Sequence, residues 1–403
     1  MVVVVLTIFL AGIPVAQASN SPSLQGIQIF PKDNIWNTRV DNLPVDANSD
    51  IYIDNLVKDA APYSGIRHYI LNGIPYNVVN SPTSRQYITG YCCNGAYFDT
   101  VPYPIPANPL LEQGSNDHHM EIIDVDDMVL YELSAASQIS DGSWSARYGA
   151  VWDLNGYSFR KDNVTPMWAA NEAGLPNLPG FVRYDEVSAG YINHSLRMSV
   201  PVLQNTWVWP ARATAPLPSP YDPTHPPAGQ RFRLKASYDI SGFPPQAKVI
   251  LQALKTYGAM ASTLNGMGNP VTISGSPDSH WNPADLNTLW RVNISDFEAV
   301  DVSSLMIDKN SAQARQLPGG DPTPTATTPT PTPVPTPPPA STQTPTPDQM
   351  TSAPPMNEMV YEAVFIVGIG ILGIFIIGIG ILEIFIIGIG ILGACCIVYY
   401  RKK

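Results

Sequence analysis

HMEIIDVDDMVLYEL, residues 119–133, decides the fold. Its apolar residues alternate with polar ones on both sides of the pair Asp126-Asp127, the period-two signature of strands joined by a tight turn. The spacing predicts a hairpin with arms over 119–125 and 128–133. A third strand is expected over 143–154, after the turn Ser140-Asp141-Gly142. Outward from there, similar runs predict strands over 181–187, 191–200, 206–209 and 230–240. One helix stands out over 244–257, PPQAKVILQALKTY, opened by prolines whose missing N–H costs little and stopped by Gly258. A shorter helix is expected near Asn282-Pro283. Strands in series with few helices predict a mainly β fold, a β-sandwich or jelly-roll-like extracellular domain with one or two helices.

The ends are of different composition. Residues 1–18 are apolar and finish in Ala16-Gln17-Ala18, a small-residue pattern that predicts a cleaved signal peptide. The β-rich domain then covers 19–316. Residues 317–357 are almost entirely Pro, Thr, Ser and Ala, a composition that builds no core and favours an extended, O-glycosylated stalk reaching about 100 Å. Residues 358–400 carry a ten-residue repeat, FIVGIGILGI, FIIGIGILEI, FIIGIGILGA, before the basic tail 401–403. This predicts a transmembrane anchor, as one span near 383–400 with the tail inside or as a hairpin turning near Glu383. Gly368, Gly370 and Gly373 match a dinucleotide-binding spacing, but an apolar repeat supplies neither the preceding strand nor the acidic ribose ligand. Glycines on such a helix point to self-association instead.

Net charge is −11, with 22 Lys and Arg against 33 Asp and Glu, which argues against a nucleic-acid partner because phosphates need a basic surface. The four cysteines fall in two adjacent pairs, Cys92-Cys93 and Cys395-Cys396, too close for ordinary bridges. They read as free or intermolecular thiols, with a strained vicinal bridge as the alternative. Three N-x-S/T acceptors stand at Asn163, Asn193 and Asn293.

Across residues 26–301, the blocks FPKDNIWNTRVDNLPVDANS, PYPIPANP, DHHMEIIDVDDMVLYEL, AGLPNLPGFVRYDEV, INHSLRMSV and GQRFRLKASYDISGFPPQAKVILQALKTYG resemble an uncharacterised family of secreted microbial proteins. That resemblance implies one continuous secreted unit and brings no activity with it. The order RYDE, INH, RLKASYD is also loosely similar to jelly-roll polysaccharide lyases. It implies that Arg183, Asp185 and His194 act on a uronate, with Arg, His and Tyr or Lys groups on adjacent strands neutralising it and removing its proton.

The residues themselves offer four constellations. Alternation over 191–200 sets His194 among apolar neighbours, either as a core histidine or as an acid, base or ligand in a cleft. Over 230–240 it sets Arg231, Arg233 and Lys235 on one face, either a clamp for acidic sugars or a solvated stripe. Trp207 and Trp209 share a face and are either a sugar-stacking pair or core. Asp117, His119 and Glu121, followed by Asp124, Asp126 and Asp127, could hold calcium or another divalent metal, although no established metal-ligand spacing is present and turn formation accounts for the aspartates. Together these predict a cell-surface protein that interacts with extracellular glycan, either binding it or cleaving acidic polysaccharide as a lyase or glycoside hydrolase. The alternative is a non-catalytic structural or adhesive surface protein.

Overall fold

The hairpin forms where its alternation places it. In the computed structural model, which describes residues 20–24, 26–92, 98–115, 117–159, 171–214 and 222–316, its arms are the sixth and seventh strands. The strands in chain order are β1 Arg67–Tyr69, β2 Tyr76–Val79, β3 Gln86–Tyr87, β4 Thr89–Gly90, β5 Pro102–Tyr103, β6 Met120–Asp124, β7 Val129–Ser134 and β8 Ser137–Gln138. They continue as β9 Trp144–Ala146, β10 Tyr148–Asp153, β11 Leu196–Val200, β12 Arg231–Leu234, β13 Ala259–Leu264, β14 Thr272–Ser274 and β15 Phe297–Val300. Four α-helices accompany them: α1 Ser49–Asp59, α2 Tyr184–Ala189, α3 Pro245–Thr256 and α4 Pro283–Asn287. The protein is mainly β.

Two sheets carry the architecture. One has six strands in the order β1-β14-β11-β13-β12-β15, the other four in the order β10-β7-β6-β2. Both mix directions: β11 runs parallel to β13, β1 to β14 and β2 to β6, whereas β12 is antiparallel to β13 and β15. Parallel neighbours depart from the antiparallel pairing of a jelly roll, and they need crossovers longer than a hairpin turn. The connection between the antiparallel strands β12 and β13 contains α3. Its prolines start the helix, and Ala247, Ile250, Leu251 and Leu254 bury one stripe at helical spacing. Each large side chain on that stripe contributes roughly 1.5–3 kcal/mol by leaving water. The chain then turns at Gly258 with φ of +65°.

Side chains of both sheets enter a single core, where Met198 and Ile273 join Ile123, Leu130 and Trp152. A second, smaller cluster gathers Met120, Ile122, Leu133, Tyr103 and Trp144 on the other face of the hairpin. The two termini of the described domain are stitched together. Ile35 N donates to Ala312 O at 2.9 Å, and Ala314 N donates to Asp33 O at 2.7 Å.

Several expected strands take another form. Of residues 181–187, the first three follow the 3-10 turn Leu178–Gly180 as extended chain, with Val182 in an isolated bridge to Gly275, and the rest belong to α2, whose first turn holds Asp185 and Glu186 and whose end is Gly190 at φ +88°. Acidic residues at a helix start and a left-handed glycine at its end outweigh the apparent alternation. Only 196–200 of the run 191–200 is strand, only 231–234 of the run 230–240, and Trp207 makes one isolated bridge to Ala228. Helix α1 was not among the expected elements, although Asn48 stands at its N-cap and Asp50 in its first turn. The expected signal peptide 1–18, stalk 317–357, anchor 358–400, tail 401–403 and acceptor Asn163 lie outside the described residues. No helix among the described residues is long and apolar enough to cross a membrane. Cys92 is disulfide-bonded, which corrects the free-thiol reading for that residue.

Candidate functional site

The expected catalytic residues do come together, but as a closed clamp. The 3-10 turn and α2 present Arg183, Asp185 and Glu186 beside His194, which precedes β11. His194 Nδ1 lies 2.9 Å from Ser195 O and its Nε2 lies 3.1 Å from Glu186 Oε2. A carbonyl and a carboxylate both accept, so both ring nitrogens are engaged and neither offers a lone pair to a substrate. Glu186 Oε1 takes Arg183 Nη2 at 2.5 Å. Burial raises the Glu186 pKa, but the charges of Arg183 and His194 and their hydrogen bonds hold it below the ordinary carboxyl value. Asp185 is occupied as well, accepting Leu24 N at 2.6 Å, Ser23 Oγ at 3.1 Å and Glu186 N at 2.9 Å. Glu186 reaches Arg183 because a helix, not a strand, sets its direction. Beside the clamp is a cavity of about 230 Å3 lined by Arg183, Tyr191, Asn193 and Gln28.

The basic stripe is a correction. Both faces of β12 are covered, so Arg231 is 1% exposed and Arg233 is also buried. Arg231 donates from Nη1 to Tyr257 O at 2.7 Å and from Nη2 to Ile35 O at 3.1 Å. Arg233 donates from Nη1 to Val40 O at 2.5 Å and Leu43 O at 2.8 Å, and from Nε to Glu298 at 2.7 Å. Lys235 gives Nζ to Ser295 O at 2.8 Å. The two arginines staple residues 35–43 to the six-stranded sheet, and none of the three forms a surface clamp for sugar acids.

Asp117, His119 and Glu121 do not converge. Asp117 is exposed, while Glu121 is fully buried with His119 Nδ1 3.9 Å from its Oε1. Among the described residues no three His, Cys, Asp or Glu side chains gather as metal ligands. Burial is the main reason Glu121 is held well above the ordinary carboxyl value, with the like charge of Glu132 adding to it. The neutral acid this implies is a poor cation ligand. Around the turn, Asp124 and Asp127 take Arg85 Nη2 at 2.5 and 3.0 Å, and Asp124 Oδ1 accepts the N–H groups of Asp126 and Asp127. These aspartates build the turn.

Trp207 and Trp209 are the expected residues that reach an open site. Both line a cleft of about 490 Å3 together with Asp46, Arg212, Asp301, Lys309 and Asn310. Trp207 is 49% exposed, whereas the Trp209 indole is fixed by its Nε1 donating to Ser311 O at 2.9 Å. Arg212 lies over the Phe159 ring and donates to Lys309 O and Asn310 Oδ1, holding the far wall in place. Asp46 and Asp301 flank the bridge between Val45 and Val300, which joins the loop before α1 to β15. Sequence reasoning missed these polar partners because they come from opposite ends of the domain and follow no local pattern. Compared with known proteins, the chain matches no protein-family model, no curated protein and no solved structure.

Proposed function

We propose that the domain is a carbohydrate-binding protein of the cell exterior, gripping uncharged stretches of glycan in the cleft of Trp207 and Trp209. The observation that carries this reading is a half-exposed indole beside a second, hydrogen-bonded indole in an open cleft rimmed by carboxylates, cations and an amide. Sugars present apolar ring faces and directional hydroxyls, and stacked aromatics with planar polar groups match both. Two carboxylates and two cations leave the lining without net charge, which favours a neutral saccharide over an acidic polymer. Export, tethering and self-association belong to the same reading and are supported by the apolar residues 1–18 and the repeat in 358–400. The resemblance to secreted microbial proteins points the same way, with the two larger sheets as a sandwich-like scaffold.

Binding without cleavage, as in an adhesive or structural surface protein, is favoured by the saturated ring of His194. Full-length protein in detergent should bind a subset of neutral glycans on an array. Trp207→Ala should abolish that binding with an unchanged melting temperature, while His194→Ala should lower the melting temperature and leave the glycan preference intact. Retained binding in Trp207→Ala, or turnover that disappears in His194→Ala, would overturn this reading.

A further inference from the structure

The 230 Å3 cavity has leftover hydrogen-bond donors, and the carboxylates beside it are already taken. Arg183 is 5% exposed, and its Nη2 is committed to Glu186, yet its buried Nη1 has no hydrogen-bond partner among the described residues. A guanidinium N–H left unbonded away from water is costly, so such a group is normally paired. Around it, every carboxylate oxygen of Asp185 and Glu186 already accepts a donor. Tyr191, 45% exposed, and the exposed Asn193 side chain line the same space, and neither side chain's polar atoms have a partner among the described residues.

We propose that this cavity is a binding site for a small carboxylate, distinct from the tryptophan cleft. The carboxylate accepts from Arg183 Nη1 at the cavity wall, with the Tyr191 hydroxyl and the Asn193 amide as the donors nearer solvent. Charge-assisted bonds of this kind are the strong ones. The ligand is limited in size: about 230 Å3 accommodates a two- or three-carbon acid or a single sugar acid, not a chain.

The test uses the full-length protein in detergent, with acetate, lactate and glucuronate as probes and glucose as the uncharged control. At least one carboxylate should raise the melting temperature as its concentration passes its Kd, as expected for a ligand that binds only the folded state. Calorimetry on Asn193→Ala and Tyr191→Phe should show Kd weakened by about tenfold each, the loss of a hydrogen bond to a charged group. Both positions lie outside the core, so these variants report on the site even where Arg183→Gln fails to fold. Which probe binds best separates a free metabolite from a sugar acid. No shift with any carboxylate, an equal shift with glucose, or unchanged affinity in both variants would overturn the proposal. None of these results bears on binding to Trp207, which the array experiment tests separately.

Discussion

Arg231 and Glu121 are both fully buried ionisable groups, and the protein treats them in opposite ways. Burial lowers the Arg231 pKa to about 9, so the guanidinium is still charged at neutral pH and is satisfied by the carbonyls of Tyr257 and Ile35. Glu121 gives up its charge instead. Its strand partner Glu132 takes three donors, Trp152 Nε1 at 2.9 Å, Asn177 N at 2.7 Å and Leu178 N at 3.1 Å, which leaves Glu121 with Asn177 Nδ2 at 3.4 Å. The neutral Glu121 donates to Glu132. Because its folded pKa lies above the unfolded value, the native state holds a proton that the unfolded state has lost, and this contribution to stability disappears as pH rises through the folded value. Glu186, held below its ordinary value, has the opposite sign and loses its contribution as pH falls. Glu121→Gln keeps the donor and removes the titration. From about pH 4.5 upward, wild type should lose stability relative to that variant by about 1.4 kcal/mol per pH unit until the folded pKa is reached. Urea midpoints of both proteins across that range measure the difference, and parallel curves would contradict it.

Among the elements, the passage from α3 into β13 tolerates little change. Gly258 turns there with φ of +65°, and a β-carbon on it would stand 2.2 Å from the backbone oxygen of Phe232. Gly258→Ala should therefore destabilise the fold by about 2 kcal/mol or more, from left-handed strain plus displacement of β12. Thermal melts should show this, whereas the same change at Gly242, which has open space around it and no positive φ, should cost little. Gly258 was legible in sequence as the stop of a helix opened by Pro244 and Pro245. The hairpin of β6 and β7 was equally legible, since its aspartates belong to a turn and apolar residues recur on both sides of it. Helix α2 was not, because RYDEV alternates like a strand over so few residues that either period fits. The polarity of β12 misled for a different reason. Alternation distinguishes two faces, but it reads a polar face as solvated when backbone carbonyls can satisfy it just as well. The tryptophans were visible as a pair, while Asp46, Asp301, Lys309 and Asn310 reach them only through tertiary folding.

For the molecule as a whole, the two larger sheets share one core, so the domain should unfold as a unit. A fragment of residues 19–316 should be soluble and show one transition, coincident by far-ultraviolet dichroism and tryptophan fluorescence. Separated transitions would mean that the four-stranded sheet folds independently. The closing segment of that domain also has a mechanical side. Residues 303–316 reach the rest of the fold through a handful of backbone bonds, including Ala314 N to Asp33 O, Ile35 N to Ala312 O and Ala312 N to Tyr157 O. Ser303, Met306, Lys309 and Asn310 in that segment form one wall of the tryptophan cleft, and Ser311 O holds Trp209. Tension applied at Gln316 is borne first by these few bonds and only afterwards by the sheets. If the domain is tethered and the cleft holds a sugar, as proposed above, a pull would strip away the cleft wall while both sheets stayed intact, and grip on the sugar and load on the tether would become one mechanical variable.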